Sequence, residues 1–139
     1  MEMFLEESEV QKDLKKLMVP GISNFNDTWE ITILKEKDEI SEQLEGMNIN
    51  FVGSELVFAT ESSPLIQEEY LEHQHKKGRV LWVNSLLYSY KAQLSAGHTD
   101  DIAVAGDPDY GWGWLIDKGF DVIQTDWVLQ LRGYMSNKK

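Results

Sequence analysis

The chain has no cysteine. That excludes a disulfide framework and any thiolate metal site. Basic residues are few: 13 Lys and Arg stand against 24 Asp and Glu, a net charge of -11. Nucleic acid and anionic membrane surfaces both call for a cationic face, so this balance disfavours them as partners. An acidic surface is compatible with divalent cations, but it also serves solubility alone. No apolar run approaches the ~18 residues that a membrane-spanning helix needs. The start, Met1-Glu2-Met3-Phe4-Leu5-Glu6-Glu7, lacks the basic flank and apolar core of a secretory signal. These absences lead us to expect a cytoplasmic protein with no membrane span. Histidine is scarce too, with three residues, which narrows the room for acid–base chemistry.

What is there suffices for a core. The chain is 139 residues long and 42% hydrophobic, with five each of Trp, Tyr and Phe. That length reads as a single domain over residues 1–139. Residues 3–16 have helical periodicity, and residues 17–22 form a short apolar run broken by Pro20-Gly21. Residues 28–44 read as a helix capped by Asn26 or Asp27, with Trp29, Ile33, Ile40 and Leu44 as a partial apolar face. Residues 49–59 read as a strand, in which Gly53 suggests a bulge or the close approach of another backbone. Ser63-Pro64 is a helix start, with Lys76-Lys77 and Gly78 at its end. Strands are expected at 79–84 and 120–125, and helices at 86–94, 111–118 and 128–135. Short apolar strands alternating with helix-sized stretches predict an α/β fold with a parallel sheet.

In such units the strand C-terminal ends face the ligand crevice. Asn84, at the end of Val80-Leu81-Trp82-Val83, and Thr125 and Asp126, after Phe120-Asp121-Val122-Ile123, therefore fall on a functional rim. Asn84 can bind substrate hydroxyls or pin its own loop, and Trp82 lies in the same run. Asp126 can equally cap the helix that follows. Glu55 interrupts an apolar strand, and a buried carboxylate needs a partner or a ligand. His98, with Asp100 and Asp101, reads either as a polar turn or as a group contacting substrate or metal. His73 and His75 are two apart on a helix and point to different faces.

The segments RVLWVNSL, AGHTDD and GDPDYGWGWLIDKGFDVIQTD resemble the C-terminal part of bacterial glycerophosphodiester phosphodiesterases. Weaker similarity reaches back to Leu17-Met18-Val19-Pro20 and Gly53-Ser54-Glu55-Leu56-Val57-Phe58. The resemblance implies a partial (β/α)8 TIM barrel: about four parallel strands with flanking helices, the C-terminal half of the family's barrel. A complete barrel needs roughly 200 residues or more. It also implies hydrolysis of a phosphoric diester in glycerophospholipid metabolism, with a divalent cation, Mg or Ca, in the complete site. That family moves protons with histidines in His-Arg and His-Asp motifs and holds its metal with a Glu-x-Asp pair and a further Glu. No His-Arg or His-Asp pair occurs, and no Glu-x-Asp ends a strand expected here, so no catalytic residue and no metal ligand is assigned. Glu55, Trp82, Asn84, His98 and Asp126 remain as substrate-binding candidates. The family's Arg-Pro after the last Asp is replaced by Trp127-Val128. The expectation is a fragment that is inactive alone and binds no cation tightly. The other reading is a non-catalytic half-barrel that dimerises or complements an N-terminal half.

Overall fold

A computed structural model describes residues 30–47, 49–86 and 94–138. The expected helix at 3–16 and strand at 17–22 lie outside these, as does most of the expected helix at 86–94.

The first described strand, β1, is Glu30–Lys35, and this corrects the helix expected over 28–44. Its run Ile31-Thr32-Ile33-Leu34 is mostly β-branched and favours a pleated strand. Only the end of that stretch is helical: α1 is Ser41–Glu45. The side chain of Asp38 starts α1, its Oδ1 accepting the Ser41 N–H at 2.9 Å and the Ile40 N–H at 3.2 Å. Strand β2 is Phe51–Val57. Glu30 pairs with Phe51 and Ile31 with Gly53, so Val52 is an extra residue, a bulge. A Cβ on Gly53 would strike the Val80 carbonyl oxygen. Both expectations for that glycine therefore hold.

Ser63 and Pro64 open a turn of 3₁₀ helix, Pro64–Ile66, and Ser63 Oγ accepts the Leu65 N–H. Extended backbone at Gln67 separates it from α2, Glu68–Lys76. Strand β3, Val80–Asn84, is buried throughout. Helix α3, Asp100–Ala105, occupies a stretch expected to be a loop; Thr99 caps it through the Ile102 N–H. A π-helical turn, Asp109–Gly113, leads into α4, Trp114–Lys118. Strand β4 is Val122–Gln124, and α5 is Val128–Asn137. Asp126 does not cap α5: the cap position is Trp127, with no side-chain hydrogen bond.

The four strands form one parallel sheet in the order β1-β2-β3-β4. Side chains alternate along each strand. Leu34, Leu56, Leu81, Val83 and Ile123 join the main core with Leu71 of α2, Ala103 of α3, Leu115 of α4 and Leu131 of α5. The register puts Ile33, Glu55, Trp82 and Val122 on the other face. There Val80, Trp82 and Val122 make a second, smaller apolar cluster with Ile31 beside it. Among the described residues, no helix is long and apolar enough to cross a membrane.

Candidate functional site

The second face carries a polar row near the C-terminal ends of three adjacent strands. Glu55 lies late in β2, Asn84 ends β3 and Gln124 ends β4. Asn84 is buried, and its Oδ1 accepts the Leu86 N–H at 2.9 Å. That contact fixes the amide, so its Nδ2 is the donor for neighbours. Nδ2 reaches Gln124 Oε1 at 3.4 Å, and the Asn84 side chain also favours the charged form of the Glu55 carboxyl. Burial pushes the Glu55 carboxyl above the usual carboxylate range, partly offset by the Asn84 hydrogen bond and the charge of Lys35. Trp82 pairs with Glu55 across the sheet and is 8% exposed, an apolar floor beside the carboxyl.

A buried carboxylate holds this row in place from behind. Asp100 is 2% exposed. Its Oδ1 accepts from Ser85 Oγ at 2.7 Å, Thr125 Oγ1 at 2.7 Å and Trp112 Nε1 at 2.8 Å. Its Oδ2 accepts the Asp126 N–H at 2.9 Å. Ser85 follows Asn84 and Thr125 follows Gln124, so one carboxylate clamps the ends of β3 and β4 side by side. Four donors on one anion compensate its desolvation. Asp100 is thus a positioning residue, which accounts for the first Asp of the Gly-His-Thr-Asp-Asp segment.

His98 belongs to the helix layer. It is wholly buried and stacks on Trp114, with ring centroids 3.8 Å apart and planes at 4°. Nδ1 lies 2.5 Å from the Tyr110 carbonyl oxygen, and Nε2 lies 2.8 Å from Glu61 Oε1. Both ring nitrogens face oxygen atoms. These contacts pin the loop before α3 to the π-helical turn. The structure does not bring His98 to Glu55 and Asn84.

Asp126 is exposed at the rim; only its backbone N–H joins the Asp100 clamp. His75 binds Asp121 Oδ2 at 2.9 Å, and the same oxygen accepts the Leu81 N–H. A cleft of about 400 Å³ between α1 and α2 is lined by Asp38, Glu42, Tyr70 and Gln74, and by none of the expected site residues. Gln124 is the member of the row that sequence reasoning passed over. Its signal was available: two positions after Val122, it shares that residue's face and ends the strand.

A divalent cation does not fit this row as it stands. Hard cations take several oxygen ligands, often carboxylates, whereas here one carboxylate stands at the end of a row whose other two members are amides, with Lys35 nearby. Among the described residues, no three or more His, Asp or Glu are grouped to hold a metal ion.

Comparison with curated proteins returns no match. A family model does match, over residues 29–135, which takes in every strand and helix described above except the last two residues of α5. The chain belongs to that family, DUF4996, described as a domain of unknown function.

Proposed function

We propose that this chain is glycerophosphodiester phosphodiesterase-like: part of a (β/α)8 barrel whose inner face receives the polyol end of a glycerophosphodiester. The observation that carries the reading is the Glu55–Asn84–Gln124 row, set near the ends of three parallel strands on the face opposite the main core. A partly buried carboxyl beside the Asn84 amide, with the Gln124 amide next in the row, offers hydrogen-bonding groups to vicinal hydroxyls. The sheet supports it. Consecutive strands in sequential order, with the helices packed against one face, are how one wall of a (β/α)8 barrel is built. Doubly wound sheets instead reverse strand order and carry helices on both faces.

In this reading the proton-moving histidines and the cation-holding carboxylates come from other strands of the barrel, supplied by a complementing chain of different sequence. A cytoplasmic setting fits the cysteine-free composition. The test is glycerophosphocholine titrated into the chain and followed by NMR shifts, alongside a hydrolysis assay with added Mg or Ca. We expect weak saturable shifts around Asn84 and Gln124, lost in Asn84→Ala, and no hydrolysis. Shifts unchanged by Asn84→Ala would remove the polyol site. Chelator-sensitive hydrolysis by the chain alone would show that the catalytic groups are present after all.

A further inference from the structure

Two polar stripes meet across the cleft between α1 and α2. Asp38, Glu42 and Glu45 come from α1 and the turn before it; Tyr70, His73, Gln74 and Lys77 come from α2 and its end. Residues three and four apart share one side of a helix, so the second set forms one face. The outer rungs between the stripes are closed. Tyr70 Oη donates to Asp38 Oδ2 at 2.6 Å, and Lys77 Nζ donates to Glu45 Oε1 at 2.7 Å. The middle rung, with Glu42 on one side and His73 and Gln74 on the other, is open. Among the described residues, neither the Glu42 carboxylate nor the His73 ring makes a hydrogen bond or an ion pair.

Gln74 distinguishes this rung from a solvated gap. It is 3% exposed, and its Oε1 is buried with no hydrogen-bond partner among the described residues. Buried acceptors are normally paired, and an unpaired one costs stability. The terminal torsion of a glutamine is soft, so Oε1 can turn to a donor that enters the cleft.

Charge selects the donor. Four carboxylates line the cleft, those of Asp38, Glu39, Glu42 and Glu45, against Lys37 and Lys77. Lys37 is held by Glu39 and Lys77 by Glu45, each at 2.7 Å. The excess negative charge therefore rests on Asp38 and Glu42. Asp38 already accepts from Tyr70 and from two backbone N–H groups, which leaves Glu42. An anion is repelled here. Among the described residues, no three His, Asp or Glu are grouped to hold a metal ion, so an organic cation suits the rung better. The cleft, at about 400 Å³, has room for a small molecule.

We propose that the middle rung binds a small organic molecule through a primary ammonium group, which donates to the Glu42 carboxylate and to Gln74 Oε1. This site is separate from the polyol row, because α2 packs on the main core and the row lies on the other face of the sheet.

Ethylammonium titrated into the full chain and followed by NMR tests this, with tetramethylammonium as a cation of equal charge that has no N–H donor. Saturable shifts at Glu42, His73 and Gln74 are expected with ethylammonium alone. Glu42→Gln and Gln74→Met should each weaken binding about tenfold or more, as for loss of a hydrogen bond to a charged group. Glu42 is exposed, so Glu42→Gln should keep the fold. Gln74→Met also reports on the free protein: removal of an unpaired acceptor should leave the melting temperature unchanged or raised. An equal response to both cations would mean general attraction to an acidic surface and overturns the proposal. So does the absence of saturable shifts, or binding indifferent to both substitutions. A melting temperature lowered by several degrees in Gln74→Met would show that Oε1 already has a partner, and overturns it too.

Discussion

At the residue scale, one buried carboxylate and one half-buried carboxylate do opposite work. Asp100 collects four donors, and Asp100→Asn must turn an NH₂ group toward some of them. We expect a loss of ~2–3 kcal/mol, the cost of leaving buried donors unpaired, readable by urea denaturation. The NMR signals of Asn84 and Gln124 should move with it, because the clamp sits directly behind them. Glu55 lacks such compensation, and burial raises its carboxyl pKa in the folded chain. The folded state therefore holds the proton more tightly than the unfolded state. Stability falls as pH rises from the unfolded to the folded pKa, and the cost persists above that window. Glu55→Gln should melt higher than the parent at pH 7 and lose the advantage below the carboxylate range. Melting curves across pH decide this; equal differences at every pH would mean that the Glu55 carboxyl is not destabilised by burial. Both Glu55 and Asn84 were legible as polar interruptions at the ends of apolar runs. The donors that converge on Asp100 were not, because they come from residues 12 to 26 positions away that only the fold brings together.

At the element scale, the strands from Phe51 onward were readable because fully buried parallel strands are short apolar runs bounded by turn residues. Gly78 and Gly119 mark such boundaries with φ of +74° and +92°. β1 was misread because Ile33, Ile40 and Leu44 happen to fall at helical spacing. In the fold, Ile33 is exposed and Leu34 is the buried anchor, paired with Leu56. Pairing along an existing strand outweighed the weak helical periodicity of a charged segment. Helix α3 was missed for a related reason: six residues carry too little periodicity to register, and its start is set by the Thr99 cap and the Asp100 clamp. The contact between β2 and β3 rests on Gly53, whose missing side chain lets Val80 approach. Gly53→Ala should destabilise by at least ~1–3 kcal/mol, the range for overpacking. Ser63→Ala, which removes a cap and a 3.3 Å hydrogen bond to the Glu36 carbonyl, should cost ~1 kcal/mol. Reversal of that order in denaturant titrations would place the weight on the helix start rather than on the strand contact.

At the scale of the whole molecule, charge decides the response to salt. Net repulsion follows from 24 acidic against 13 basic residues. Against it stand surface pairs such as Glu45 with Lys77 at 2.7 Å and Arg79 at 3.1 Å, and Lys138 with Asp117 at 3.2 Å. Exposed pairs of this kind contribute little and weaken in salt. Arg79 is the better-held cation, with its side chain 9% exposed and its guanidinium 4.0 Å over the Phe51 ring. That stacking contributes apolar contact that salt does not remove. The Asp100 clamp and the Glu61–His98 contact are shielded from bulk ions by burial of at least one partner. What salt chiefly removes is therefore the unpaired repulsion among surface carboxylates. The melting temperature should rise by a few degrees between ~0.02 and ~0.3 M NaCl, as the Debye length shrinks below ~10 Å. A fall over the same range would mean that the exposed pairs outweigh the excess negative charge. Repeating the measurement at several chain concentrations separates this effect from any salt-driven association of acidic copies, because an intramolecular rise does not depend on concentration.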